Sequence, residues 1–369
     1  MSKSSGSSKA VAIWIGIGVI MLLVQVIIGG ITRLTGSGLS ITEWNIITGF
    51  LPPLNQESWL TEFNKYRLTP QFQLLNADFS LNSFKFIFFW EWIHRFWARL
   101  IGIFFIAGFI YLISKKLLKK EMIRPLIILF LLGALQGTVG WIMVASGLTG
   151  DAIYVKPARL ALHFIFAMGL IAYAYWFLLV LTIRKEQLVI APGIKRICYW
   201  ILGMLIIQLM YGALMAGHKA ATAAPTWPDI NGSSIPSGLL NERPVLINFI
   251  DNKITIHFVH RTLAYVLLIM TVWVSIRMYR VYLTGREGLE GIGNKTDNRL
   301  FKRIRPLPML LVTIQVVLGI SAVVLSPQIT PGHWGAFEWL AQLHQVTGIL
   351  LVMCFLSLVY LFKNTRAIP

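Results

Sequence analysis

Apolar residues run along this chain in eight long stretches, roughly 11–31, 84–113, 124–145, 159–183, 194–216, 254–279, 306–326 and 338–362. An apolar helix needs about 20 residues to cross the hydrocarbon core of a bilayer. The pattern therefore predicts an all-α integral membrane protein with eight transmembrane helices. Polar positions interrupt the runs in a regular way: Gln25/Gly29, Gln136/Gly140, Gln208/Gly212 and Gln315/Gly319 come late in the odd spans, and His94, His163, His260 and His344 come early in the even spans that follow. Ionisable groups are costly in hydrocarbon, and where they occur they mark functional sites.

Composition agrees with a membrane protein, since 56% of the 369 residues are apolar and only 13% are charged. The formal charge of +18 invites a nucleic-acid reading until its placement is considered. Lys115, Lys116, Lys119, Lys120 and Arg124 lie between spans two and three, Arg184, Lys185, Lys195 and Arg196 between four and five, and Arg299, Lys302, Arg303 and Arg305 before span seven. Basic residues gather in cytoplasmic loops, so both termini and the even-to-odd connections are expected in the cytoplasm, and no nucleic-acid partner is expected. The first apolar run follows a short basic start, as a secretory signal does. It lacks a small-residue cleavage site and carries Gln25 of the repeated pattern, so it is read as the first span. Cys198 and Cys354 fall within spans without a CxxC spacing, which points to buried structural roles.

The two halves align. EWIHRFWARL (91–100) sits over HFVHRTLAYV (257–266), and RLALHFIFAMG (159–169) corresponds to EWLAQLHQVTG (338–348), each carrying its histidine. Repeats with an even number of spans enter the membrane in the same direction and are related by an axis along the membrane normal. The expected architecture is two tandem four-helix bundles related by a pseudo-twofold, 1–190 and 191–369. With alternating spans, all eight polar positions fall toward the outer side. Facing helices of a bundle can supply inward side chains to one shared site, which pairs His94 with His163 and His260 with His344.

Imidazole suits several transition metals and is a usual axial ligand of haem iron. No carboxylate or thiolate set completes a bare-metal shell, whereas a porphyrin supplies four equatorial nitrogens, so two histidines suffice and haem is the expected cofactor of each bundle. In the Gln-x-x-x-Gly pairs, residues four apart share a helix face. Glycine there admits a backbone or flat ring and glutamine offers hydrogen bonds, although small and polar residues also mediate plain helix packing.

The halves differ at one informative position. Glu91 precedes His94 by three residues, and the matching residue in the second half is His257. A carboxylate beside a bound ring can exchange protons or stabilise developing positive charge, which assigns the reaction to the first half. The alternative is an ion pair of Glu91 with Arg95 or Arg99 along the same helix. Arg95 and Arg261, next to their histidines, could hold carboxylates on the ring edge or snorkel to the interface. The long connection 32–83, with Trp44, Trp59, Phe63, Tyr66, Phe72 and Phe79 among polar residues, is expected to form amphipathic helices capping the first site. His218 and His333 are expected at the surface.

Several stretches resemble the haem A synthase family: GGITRLTGSGLSITEW (29–44), LPPLNQESW (51–59), FKFIFFWEWIHRFWARLIG (84–102), QGTVGWIMVASGL (136–148), HFVHRTLA (257–264) and LHQVTG (343–348). The resemblance covers nearly the whole chain. It implies oxidation of a ring methyl of haem O to the formyl of haem A for terminal oxidase assembly, with Glu91, His94 and His163 at the substrate site and His260 and His344 holding a haem b that passes electrons. It also implies delivery of haem O by a haem O synthase, an electron donor or acceptor of unknown identity, a lipid bilayer as surroundings and a possible homo-oligomer. The chain departs from some members in having no cysteine in 32–83 or 217–253, which excludes a thiol relay through those loops. If both His94 and His163 hold the substrate iron, either one releases, or the carbon is oxidised by electron removal and hydrated. The rival functions are a di-haem b-type electron-transfer or quinol-oxidising protein and, third, a transporter. The short amino terminus favours a bacterial inner membrane over a mitochondrial one.

Overall fold

The computed structural model describes residues 2–44, 48–284, 298–329 and 334–364. Helices dominate: α1 (Ser2–Leu34), α2 (Gln56–Arg67), α3 (Pro70–Leu75), α4 (Leu81–Ser114), α5 (Lys120–Ala145), α6 (Pro157–Thr182), α7 (Pro192–His218), α8 (Asn248–Asp251), α9 (Lys253–Thr284), α10 (Arg299–Ile304), α11 (Leu307–Val324) and α12 (Ala336–Leu361). Eight of these segments are long and apolar enough to cross a membrane, and they coincide with the eight expected spans. The seventh is broken near Arg305 into α10 and α11, where Pro306 and Pro308 remove backbone donors. Two short strands, β1 (Val189–Ile190) and β2 (Phe362–Lys363), pair in parallel. Phe362 thus leaves the last expected helix for a strap that ties the connection between the halves to the end of α12.

Helix ends follow local chemistry. Asn55, Thr69 and Ser80 cap α2, α3 and α4 with their side chains, each satisfying a first-turn N–H that has no partner within the helix. Pro157 and Pro192 open α6 and α7, where a missing N–H costs nothing. Among its described residues, the segment 32–83 forms the short helices α2 and α3, in line with expectation. Tyr66, Phe72, Phe84, Ile87 and Phe88 form a small core there, with Trp59, Phe63 and Trp92 packed against it. This cap rests on the first turns of α4, which begins earlier than its counterpart α9.

Helix contacts in the first half recur in the second. α1 packs on α4, α5 on α6 and α1 on α6; likewise α7 packs on α9, α11 on α12 and α7 on α12. One pair differs: α9 packs against α11, whereas α4 and α5 meet at few points. The halves join through α6, which packs on α7 and α12, and through α1 against α12. Burying apolar surface gives little drive in lipid, so helices there associate by close packing and interhelical hydrogen bonds. Arg33 donates to the Ala216 carbonyl (2.8 Å), Gln345 to Val26 (3.1 Å), Gln342 to Ile27 (3.3 Å), and Tyr175 and Ser357 share a bond of 2.7 Å. Cys198 and Cys354 are buried in one apolar cluster with Ile201, Phe355 and Leu358.

Candidate haem-binding sites

The fourfold Gln/Gly pattern resolves into four seats for imidazole rings. Gly29, Gly140, Gly212 and Gly319 each face the histidine of the following span, so closely that an added Cβ would come within 2.9 Å of Cε1 of His94, His163 and His344, and within 3.3 Å of that of His260. The flat ring that glycine admits is therefore the histidine's own. One turn earlier, the glutamine amide grips the same residue. Gln25 Nε2 lies 3.0 Å from His94 Nδ1 and 3.1 Å from the His94 carbonyl oxygen, and Gln136 stands 3.2 Å from each of the matching atoms of His163. Gln208 and Gln315 reach His260 and His344 at 3.4 Å. Antiparallel packing of adjacent helices sets this register: on α1 and α4, Met21, Gln25 and Thr32 meet Trp97, His94 and Trp90 in reverse order.

Seated in this way, the histidines come together in the expected pairs. The rings of His260 and His344 have centres 6.4 Å apart. A metal ion about 2 Å from one nitrogen of each ring places the centres about 6 Å apart, so the observed spacing fits one ion gripped from opposite walls. His94 and His163 are close enough for their charges to interact. Among the described residues, no group of three or more His, Cys, Asp and Glu gathers to hold a bare ion, so the remaining ligands must come from the bound group, as a porphyrin supplies them.

A metal-bound imidazole donates its other N–H to an acceptor. His344 already has one, its Nδ1 lying 3.0 Å from the Gln315 carbonyl oxygen. For His94 and His163 the acceptor at hand is the glutamine Oε1, which is buried without a partner in Gln25 and Gln136. A half-turn of the amide, which exchanges groups of similar size, brings it to Nδ1 at the loss of the Nε2 bond to the histidine's own carbonyl. His260 Nδ1 and Gln208 Oε1 are likewise both buried and unpartnered. The residues fit a haem held by two histidines in each half.

Glu91 is 2% exposed and accepts three hydrogen bonds: from Ser40 Oγ (2.7 Å) and Ile41 N (2.8 Å) on one oxygen, and from Arg95 (2.6 Å) on the other. The pairing with Arg95 considered from the sequence is thus present, and it is joined by a loop that sequence reasoning missed. Ser40 and Ile41 lie in the stretch 29–44, whose Ser, Thr and Gly content was the available signal. Arg95 and Arg261 turn to backbone. Arg95 donates to the carbonyls of Ile41 (3.2 Å) and Glu43 (3.1 Å), and its guanidinium lies over Trp44. Arg261 donates to Thr226 (2.8 Å), to Asp229 and, at 3.0 Å, to His257 Nε2. Glu91–Arg95 and His257–Arg261 therefore occupy the same place in the two halves, a carboxyl group beside the arginine in one and an imidazole in the other. His218 is half-buried rather than at the surface, with Nε2 2.8 Å from the Ile250 carbonyl, because α7 runs on to meet α8. His333 lies outside the described residues.

Tyr66 anchors the cap. Its ring is fully buried, its hydroxyl donates to Gln71 Oε1 (3.1 Å) and accepts from Asn76 (2.7 Å). Burial pushes the phenol up from 10.0 to about 12, Asn76 pulling it down and the charge of Glu91 pushing it up. The unfolded phenol ionises first, so its contribution to cap stability is complete below pH 10 and is lost as pH rises through about 12. Tyrosinate absorbance during alkaline titration should lose one late-ionising phenol in Tyr66→Phe relative to the unsubstituted protein. A Tyr66 titrating with the exposed tyrosines would contradict this packing.

Comparison with known proteins shows the family. The sequence profile of the cytochrome oxidase assembly protein family matches residues 12–356. Over 348 residues the chain is 38% identical to the haem A synthase of Bradyrhizobium sp. strain ORS 278, covering 94% of this chain and 89% of that protein. The haem A synthase of Parvibaculum lavamentivorans is 42% identical over 74% of this chain and 79% of its own length, and that of Flavobacterium psychrophilum 35% identical over 94% and 96%. With paired histidines in both halves and a family match over nearly its whole length, the chain belongs to the cytochrome oxidase assembly protein family whose curated relatives are haem A synthases.

Proposed function

We propose that this protein is a haem A synthase: an oxidoreductase of the inner membrane that converts a ring methyl of haem O to the formyl of haem A for terminal oxidase assembly. The observation that carries the reading is the difference between two otherwise matching histidine pairs, with Glu91 beside His94 where His257 stands beside His260. The half 1–190 takes the substrate, with His94 and His163 holding its iron. The half 191–369 uses His260 and His344 to hold haem b, which when bound supplies a one-electron relay. Converting a methyl to a formyl with water as oxygen source releases four electrons and four protons, so the site needs a proton acceptor. Glu91 has about four lone-pair positions and three donors on them, leaving one to take a proton from the reacting carbon. Arg95 and the loop 40–44 hold the carboxylate in place and cover it from water.

Basic residues in the loops opposite the histidine end support both termini in the cytoplasm. Haem O is then delivered within the bilayer, as from a haem O synthase, and electrons leave to an acceptor of unassigned identity; the wide helix faces leave room for a homo-oligomer. Co-expression of the full chain with a haem O source, followed by pigment extraction, tests the proposal. Formyl-bearing haem A is expected. Two intact b-type haems with no formyl product would instead identify a di-haem electron-transfer or quinol-oxidising protein, and a protein without haem would leave the transporter reading.

A further inference from the structure

The two halves differ again in the seam between the second and third helices of each bundle. In the first half, α5 presents Phe130, Gly133, Gly137 and Trp141 on one face, at spacings of three and four residues. Phe130 stacks on Phe105 of α4 (6.1 Å between ring centres), and Trp141 lines a cavity of about 190 Å³ with Arg95 of α4 and Thr42 and Trp44 of the cap. This face of α5 therefore looks at α4, and Gly133 and Gly137 lie between its two ends. Opposite them, Gly102 lies on α4 between Arg95 and Phe105. An added Cβ on Gly102, Gly133 or Gly137 would meet nothing within 4 Å. The seam is a groove whose floor is three glycines, closed at one end by an aromatic pair and widening at the other into the cavity beside Glu91 and Arg95.

In the second half the matching positions are Leu268, Val312 and Val316. Val312 is 3% exposed, and α9 and α11 pack against each other more extensively than α4 and α5 do. Side chains fill in one bundle the space that glycine leaves in the other. Gln136, between Gly133 and Gly137, holds His163, so the groove runs beside the seat of that histidine.

Resting on the haem A synthase reading, we propose that the α4–α5 groove holds the long isoprenoid tail that haem O carries and haem b lacks. The ring then lies between His94 and His163 with its tail along Gly102, Gly133 and Gly137, exposed to lipid on its outer side. Leu268, Val312 and Val316 exclude such a tail from the second bundle, which restricts it to haem b. The groove, rather than the histidines, sorts the two haems between two like sites.

The test uses the full-length protein carrying Gly133→Val and Gly137→Val, purified after expression with haem b alone or with a haem O source, and pigments counted against the second-bundle haem. Tailed haem in the first bundle should fall at least tenfold, haem b should bind there as well as in the wild type, and the second haem should be unchanged. The reciprocal Val312→Gly, Val316→Gly variant should admit tailed haem to the second bundle. Unreduced tailed haem in the first variant, or loss of both haems from its first bundle, overturns the proposal, because a blocked groove spares a ring without a tail. A wild type that takes up no tailed haem would instead defeat the haem A synthase reading itself.

Discussion

Glu91→Gln should lower the yield of formyl-bearing haem about 10²–10⁴-fold, the usual range for loss of a positioned proton acceptor, while the second-bundle haem keeps its spectrum. Glutamine preserves the shape and can still accept from Ser40 and Ile41, so the loop 40–44 keeps its anchor on that side. Two things change: the proton-accepting oxygen becomes an amide, and Arg95 loses its anion in a site where both side chains are largely buried. An uncompensated buried charge destabilises by about 3–5 kcal/mol. The double variant Glu91→Gln, Arg95→Gln separates the two effects. It should recover the thermal stability lost in the single variant and leave haem A formation as low. If haem A returns together with stability, Glu91 is only a brace for Arg95.

Gly319→Val should strip the second bundle of its haem as thoroughly as His344→Ala, lowering its occupancy at least tenfold. A Cβ at this position approaches His344 Cε1 to 2.9 Å, inside the distance that carbon contacts tolerate, and valine adds two further methyls on a stiff side chain. The imidazole must swing off its seat, and a ligand displaced by about 1 Å no longer meets its metal. Gly212→Ala, with 3.3 Å to His260, should cost less, so the series Gly212→Ala, Gly319→Ala, Gly319→Val should lose haem progressively. Absorbance of reduced protein per polypeptide measures this. Full occupancy in Gly319→Val would show that the glycine is not the seat of the ring.

Much of the molecule is legible in the sequence because the bilayer leaves few alternatives. A chain in hydrocarbon must satisfy its own backbone, so runs of about 20 apolar residues can only be helices, and the eight spans follow from this. The costly polar residues within them, Glu91 and the four histidines, stand out for the same reason, and the internal repeat alone pairs the histidines. The cap over 32–83 announces itself by its aromatic residues.

What each polar residue touches is another matter. Sequence places Gln25 and Gly29 on one face of α1 but not that face against His94; the rotation and separation of two helices, fixed by packing over their whole length, decide it. Arg95 and Arg261 could equally reach a ligand, lipid headgroups or backbone, and only the return of the loops through 41–43 and 226–229 commits them to carbonyls. Gly133 and Gly137 are indistinguishable in sequence from glycines that let helices touch. Because α4 and α5 stand apart where α9 and α11 close, the same residue type makes open space here, a distinction that resides in the distance between helices and in nothing local to either one.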